Sequence, residues 1–174
     1  VPPSPARAEV LHAALSGAGI DLVAALPETW LVPLLHSLAT DPGIRLVEVA
    51  REDEAVGIAM GAHLAGGRAA ALMQNHGLFS ALNAVVSGAL LYRIPLLLLI
   101  SDRGHFGERD PWQTEGGRHT RGVLDSLGIV HDDVADPDPG AVSRQVADAA
   151  TLAEASLAPV ALLLTRRFLW EEPA

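Results

Sequence analysis

Apolar residues along this chain alternate between two rhythms. Short, densely apolar runs at Leu22–Leu26, Leu46–Ala50, Ala69–Gln74, Pro95–Ser101, Ile129–Val134 and Pro159–Thr165 read as strands. The stretches between them, Ala6–Ala18, Thr29–Ala39, Glu52–Ala65, Ser80–Tyr92, Gly117–Leu127 and Pro139–Glu154, place apolar residues three and four apart, the spacing of one helix face. Leu96–Ile100 and Val160–Leu164 have no polar alternation at all, so they are expected to be central strands covered on both sides. Strand and helix taking turns in this way predicts a three-layer α/β domain. Its mostly parallel six-stranded sheet has helices on both faces and right-handed crossovers.

Turn residues support these boundaries. Pro27 and Pro33 bracket the start of the second helix, Asp41-Pro42-Gly43 ends it, and Gly66-Gly67 ends the third. Asp136-Pro137-Asp138-Pro139-Gly140 leads into the last helix and puts acids near its positive end. The whole of 1–174 reads as one domain without repeats or low-complexity linkers. Residues 1–5 are Pro-rich and expected to be a loose tail. The long irregular stretch 102–118 follows a central strand, where open α/β sheets place ligands, so it is expected to be an active-site or interface loop.

Composition narrows the function. The net charge of -9 and the lack of a basic cluster argue against nucleic acid as a partner. Without cysteine there are no disulfides, thiolate nucleophiles or zinc-thiolate sites. The start of the chain has no signal-peptide core, and the apolar run Ile94–Ile100 is too short to span a bilayer. A soluble, cytoplasmic protein with no membrane contact is the expectation. The seven histidines show no paired ligand spacing, so no protein-only metal site is expected. There is no Walker A sequence and no Gly-x-Ser-x-Gly elbow, and Gly17-Ala18-Gly19 follows a helix and reads as its stop.

Three segments carry candidate chemistry. The first is Arg51-Glu52-Asp53-Glu54-Ala55-Val56-Gly57-Ile58-Ala59-Met60-Gly61, three acids opening a helix that then carries small residues. Helix-start acids are favoured by the macrodipole alone, so composition leaves all three equally eligible. Each helical glycine costs about 1 kcal/mol relative to alanine, which points to close packing of this helix against a backbone or a cofactor. The second segment, Gln74-Asn75-His76-Gly77-Leu78-Phe79-Ser80-Ala81-Leu82-Asn83, reads as a strand end, a glycine turn and a helix start. Its amides could bind a polar heteroaromatic ring or an anion, or could simply cap a turn. In the third, Ser101–Gln113, Phe106 and Trp112 are costly to leave in water, which favours a lid or a partner contact over a solvated loop.

Together these segments resemble the pyrimidine-binding (PYR) domain of thiamine-diphosphate-dependent decarboxylases. The similarity is strongest to the sulfopyruvate decarboxylase alpha subunits and the phosphonopyruvate decarboxylases. In that family a Glu lies three residues before a small residue and nine before a helical Gly, a register met by Glu52, Ala55 and Gly61. The family sequence Gln-Asn-Ser-Gly-Leu-Gly-Asn-x-x-Asn is matched at Gln74, Asn75, Gly77, Leu78 and Asn83. A Pro-Leu-Leu-Leu-Ile strand followed by Arg-Gly corresponds to Pro95–Ile100 and Arg103-Gly104. Ala18-Gly19-Ile20-Asp21, Leu26-Pro27 and Leu127-Gly128-Ile129 fit as well, and the resemblance spans nearly the whole chain. Three departures stand out. His76 replaces a Ser, Phe79-Ser80 replaces Gly-Asn, and Asp110-Pro111-Trp112-Gln113-Thr114 stands where the family has Asp-Glu-Pro-Gln-His.

The resemblance implies a thiamine-diphosphate-binding fold of PYR type. It implies Glu52 as the catalytic group at N1′ of the cofactor aminopyrimidine, with Gln74, Asn75, Gly77 and Asn83 also binding the cofactor. Pro27, Glu28, His76, Arg103, His105 and Gln113 become candidates for substrate contact, with His105 or His119 standing in for the family His. The implied reaction is decarboxylation of a small 2-oxo acid by a carboxy-lyase. The alternatives are a carboligase making an acyloin or acetolactate-like product, and a non-catalytic α/β interaction subunit. The Gly-Asp-Gly…Asn motif that holds diphosphate and Mg2+ in this superfamily does not occur here. A separate diphosphate-binding (PP-domain, beta) subunit carrying it is therefore implied, in an assembly of at least α2β2. The small residues after Glu52 then become the face turned to that subunit.

Overall fold

The computed structural model describes residues 3–171. Six parallel strands form one sheet: β1 (Leu22–Ala25), β2 (Arg45–Glu48), β3 (Ala69–Gln74), β4 (Leu96–Asp102), β5 (Val130–Val134) and β6 (Pro159–Thr165). Their order is β2-β1-β3-β4-β6-β5, and every neighbouring pair is parallel. Helices α1 (Pro5–Gly17), α2 (Val32–Ala39), α6 (Pro139–Ser156) and the single turn α7 (Arg166–Leu169) build the core on one face. Helices α3 (Glu52–Leu64), α4 (Asn75–Ala84) and α5 (Thr114–Ser126) build the core on the other. This is the expected three-layer α/β architecture.

Strand residues sort between the layers by alternation. Ala70, Leu72, Leu97 and Leu99 join the first core, while Ala71, Met73, Leu98 and Ile100 join the second. β4 is buried along its whole length, which is why its sequence shows no polar alternation. The order reverses direction between β1 and β3 and again between β4 and β6. Such switch points open crevices at the carboxyl ends of the strands.

Several boundaries differ from expectation, each for a packing reason. Helix α4 starts at Asn75, directly off β3, so Gly77 is its third residue and not a turn glycine. The helix continues through a π-helical stretch, Val85–Leu90, and the chain leaves it through Arg93 at φ 53°. The expected loop 102–118 is shorter: β4 runs to Asp102, a 3-10 turn covers Pro111–Gln113, and α5 starts at Thr114. Two glycines permit this. A Cβ on Gly104, at φ +88°, or on Gly117 would lie 2.1 Å from Gln113 O or 2.6 Å from Arg103 O. Their absence lets the start of α5 rest on the chain leaving β4. At the amino end, Val1 and Pro2 lie outside the described residues, but Ser4 is not loose. Its N–H donates to Leu169 O (2.8 Å), and its hydroxyl caps α1 and donates to Glu171 (2.7 Å). Among the described residues, no helix is long and apolar enough to cross a membrane.

Candidate active site

The three acids that open α3 separate cleanly in space. Asp53 pairs with Arg51 at 3.0 Å. Glu54 turns back and accepts the N–H groups of Ala50 (3.0 Å) and Arg51 (3.1 Å), closing the helix start. Glu52 faces inward, is 9% exposed, and has no hydrogen-bonding partner among the described residues. Its side chain lies over the bare Cα of Gly77, where an added Cβ would come within 2.6 Å of both Cγ and Oε1. Glycine at position 77 therefore makes the space that the carboxylate occupies.

Around Glu52 and Gly77 the start of α4 is tied to the segments that follow β4. Asn75 is fully buried; its Nδ2 donates to Arg103 O at 2.8 Å and its Oδ1 accepts the His76 N–H. The His76 ring rests on Gly116, where a Cβ would lie 2.5 Å from Cε1, and meets Phe79 edge to face. Gln113 Nε2 reaches Gln74 Oε1 at 3.5 Å. Four buried polar atoms in this region have no partner: His76 Nδ1, Gln113 Oε1, Ser101 Oγ and Glu28 Oε1. Buried polar atoms are normally paired, so His76 Nδ1 and Gln113 Oε1 beside the carboxyl end of β3 stand open to a ligand, whereas the Ser101 hydroxyl lies close enough to Glu28 to act on its carboxyl.

Glu28 has an unusual setting. Its Oε2 accepts the Trp30 N–H at 2.9 Å. Burial pushes its carboxyl above the usual carboxylate range, outweighing the lowering influence of that N–H, of the nearby Ser101 hydroxyl and of the Arg103 charge. Arg103, itself buried, turns its guanidinium to Glu108 (3.3 Å) and Asp110 (2.8 Å). Burial also raises the Glu108 carboxyl, but Arg103 and the N–H groups of Asp110, Arg109 and Gly104 outweigh it and hold it below its usual range.

Other sequence candidates lie apart from this cluster. Asn83 is exposed on α4 and accepts from Ser87 Oγ at 3.3 Å. Pro27 is exposed. His105 belongs to a different network, its Nε2 lying 3.0 Å from both Asp102 and Arg121, with Arg121 also reaching Asp133 at 2.6 Å. His119 is exposed and lies 3.2 Å from Glu115. Phe106 and Trp112 stand in solvent. Sequence reasoning missed Ser101 and Gly116; a serine closing an otherwise apolar strand and a Gly-Gly pair at a helix start were the available signals. Gly57 and Gly61 do not pack closely within this chain: a Cβ at either position would meet nothing within 4 Å. They share an open face of α3 with Leu64, and Val86, Leu91 and Tyr92 are exposed as well.

The crevice suits one part of a thiamine diphosphate molecule. An unpartnered carboxylate and orphaned donors and acceptors can meet the ring nitrogens and amino group of an aminopyrimidine. No group of three or more His, Asp or Glu residues able to hold a metal occurs among the described residues.

Comparison with known proteins identifies the family. Residues 6–122 match the family described as thiamine pyrophosphate enzyme, N-terminal TPP binding domain. The sulfopyruvate decarboxylase subunit alpha of Methanococcus maripaludis is 34% identical over 163 residues, 94% of this chain and 96% of that protein. That of Methanothermobacter thermautotrophicus is 40% identical over 121 residues, 70% of this chain and 73% of that protein. The phosphonopyruvate decarboxylase of Streptomyces viridochromogenes is 34% identical over 164 residues, 94% of this chain but 41% of that longer protein.

Proposed function

Because the chain belongs to the family of thiamine pyrophosphate enzyme N-terminal, TPP-binding domains, we propose that it is the alpha subunit of a two-component 2-oxo acid decarboxylase of the sulfopyruvate and phosphonopyruvate type. Glu52 holds the proton at N1′ of the aminopyrimidine, and Gln74, Asn75 and Gly77 shape the surrounding wall. When bound, thiamine diphosphate supplies an electron sink for the carbanion left as carbon dioxide departs. Glu52 polarises the ring, His76 and Gln113 offer unpaired atoms to ring or substrate, and Glu28 and Arg103 border the substrate side. A separate beta subunit with a Gly-Asp-Gly…Asn motif holds the diphosphate and Mg2+, in an assembly of at least α2β2. The open face of Gly57, Gly61 and Leu64 supports a partner on α3, and exposed Asn83 is available to the same contact.

One observation carries this reading: a largely buried Glu52 whose carboxylate has no hydrogen-bonding partner among the described residues and lies against a glycine that leaves it room. The test is co-purification with the partner, followed by carbon dioxide release from a panel of 2-oxo acids, with and without acceptor aldehydes. Glu52→Gln should lower turnover by about 10²–10⁴-fold, the range for a lost acid–base group. Unchanged turnover would remove the catalytic role and leave a non-catalytic subunit. Product formed only with added aldehyde would instead identify a carboligase.

A further inference from the structure

Three hydrogen-bonded side chains lie between α1 and α2, on the sheet face opposite α3. The His12 ring on α1 places Nδ1 2.5 Å from Ser37 Oγ on α2, and Nε2 2.5 Å from Asp41 Oδ2. Asp41 belongs to the Asp-Pro-Gly turn between α2 and the start of β2. The group therefore sits near the amino ends of the strands, away from the Glu52 crevice.

Each member is held in place. Ser37 is 8% exposed and flanked on α2 by the core residues Leu34 and Leu38, and the His12 and Asp41 side chains are 17% and 19% exposed. Asp41 Oδ1 accepts the Gly43 N–H at 2.6 Å, which leaves Oδ2 for His12. That N–H first, and the His12 hydrogen bond after it, hold the Asp41 carboxyl below its usual range, so it is ionised at neutral pH. An ionised Asp41 takes the ring's N–H at Nε2, which leaves Nδ1 as the acceptor for the Ser37 hydroxyl. Serine, histidine and orienting carboxylate thus stand in series, the order in which a histidine activates a serine.

A clamp between two helices needs no opening, yet this group borders one. A cavity of about 500 Å³ is lined by Ser37, His12 and Asp41 together with Glu9, Ala13, Ser16 and Thr40. That volume lies within the roughly 300–1,000 Å³ of small-molecule pockets. Its charged walls are acidic, with Glu9 Oε2 lying 3.9 Å from His12 Nδ1, so an anionic reactant is disfavoured. Ser37 stands in the last turn of α2, where a helix presents carbonyls and not free N–H groups. The hydroxyls of Ser16 and Thr40 are left to meet a developing oxyanion. Reaction here is therefore expected to be slower, by about 10²–10³-fold, than where a backbone oxyanion hole is present.

We propose that Ser37 is an activated nucleophile that takes the acyl group of a small uncharged ester. Ser37 Oγ bonds to the carbonyl carbon as its proton passes to His12 Nδ1. The bond from that carbon to the leaving oxygen breaks, and the leaving oxygen takes the proton from His12. Water, giving its proton to His12 in turn, releases the acid and restores the serine. The sequence needs no cofactor and does not rest on the thiamine diphosphate reading.

The test treats the full chain with an alkyl fluorophosphonate, in which a serine oxygen bonds to phosphorus as fluoride leaves, and separately with p-nitrophenyl acetate. The expected result is one phosphonyl adduct, placed on Ser37 by peptide mass mapping, together with release of p-nitrophenol. Ser37→Ala should abolish the adduct, and His12→Gln should slow its formation. Both variants should lower p-nitrophenol release by at least about tenfold; this is less than the 10²–10⁴-fold of a general base because exposed histidines also cleave this ester. Ser143→Ala, at an exposed serine of α6, should change neither readout. Melting temperatures show that each variant is folded. A group that only clamps α1 to α2 would lower the melting temperature in His12→Gln while the parent chain gains no adduct on Ser37. That result, or an adduct formed as fast in His12→Gln as in the parent, would overturn the assignment.

Discussion

Gly77→Ala separates the two roles that a glycine inside a helix can have. Position 77 is the third residue of α4, where alanine is ordinarily favoured by about 0.5–1 kcal/mol. Here the new methyl would sit 2.6 Å from Glu52 Cγ and Oε1 and 2.9 Å from Cδ. Ordinary contact begins near 3.4 Å, so the carboxylate must retreat by about 0.8 Å or more, the difference between 3.4 and 2.6 Å. The obstacle is the end of a flexible side chain, not backbone, so the fold can absorb it. The helix-propensity gain offsets much of the cost, and the melting temperature should stay within about 4 °C of the parent, equivalent to roughly 1 kcal/mol. Activity should not survive as well, because a 1 Å misplacement of a reacting group costs about 10²-fold. Two measurements on one sample decide this: thermal melting of the chain, and carbon dioxide release after reconstitution with the partner subunit. A variant that melts normally and turns over within threefold of the parent would show that the carboxylate position is not what the reaction needs.

Three further outcomes are expected. Glu28→Gln should raise the melting temperature at neutral pH. Burial lifts the folded carboxyl above its unfolded value, so wild-type stability present in acid is lost as pH rises through the folded pKa. The advantage should vanish below about pH 4, where the side chain is protonated in both states; an equal or lower melting temperature at neutral pH would contradict this. Glu108 behaves oppositely: held below its usual range, it stabilises above the unfolded pKa and stops doing so as pH falls through the folded one. Glu108→Gln should therefore cost about 1.5–3 kcal/mol at neutral pH, the value of a hydrogen bond to a charged group, and progressively less in acid. A pH-independent loss would refute the ion pair's part in holding loop 103–110. Gly61→Ala should stabilise the isolated chain by about 0.5–1 kcal/mol, since its Cβ meets nothing, whereas Gly61→Leu should prevent co-purification with the beta subunit. A fully assembled Gly61→Leu complex would place the interface elsewhere.

Sequence showed the layers more clearly than the joints. β3 and β6 occupy the expected ranges because strands buried on both faces leave an unbroken apolar run between polar or glycine boundaries. The start of α4 was hidden, since Asn-His-Gly after a strand has the chemistry of a turn. The carboxylate lying over Gly77 explains why glycine stands in the first turn of that helix. The single turn α7 is four residues long, too short to show a period, and rests on Thr165 accepting the Phe168 N–H at 3.3 Å. The stretch after β4 read as a long loop because nothing local reveals that Gly104 and Gly117 let two backbones touch.

Glycine shows where the information of a single chain stops. Gly77, Gly116 and Gly117 are needed by neighbours inside this molecule, against Glu52, His76 and the Arg103 carbonyl respectively. Gly57 and Gly61 have no such neighbour, although in sequence they are helical glycines of the same kind. Each costs α3 about 1 kcal/mol relative to alanine with no compensating contact within the chain. The first group makes room for two side chains and a backbone carbonyl of the same chain, and its role is complete in one subunit. The second lies on the helix that carries Glu52 at its first turn, beside exposed Leu64. A surface that presses on this open face would also press on the element that aims the carboxylate. A beta subunit seated on this face, as proposed, would therefore couple assembly to the orientation of Glu52 through α3.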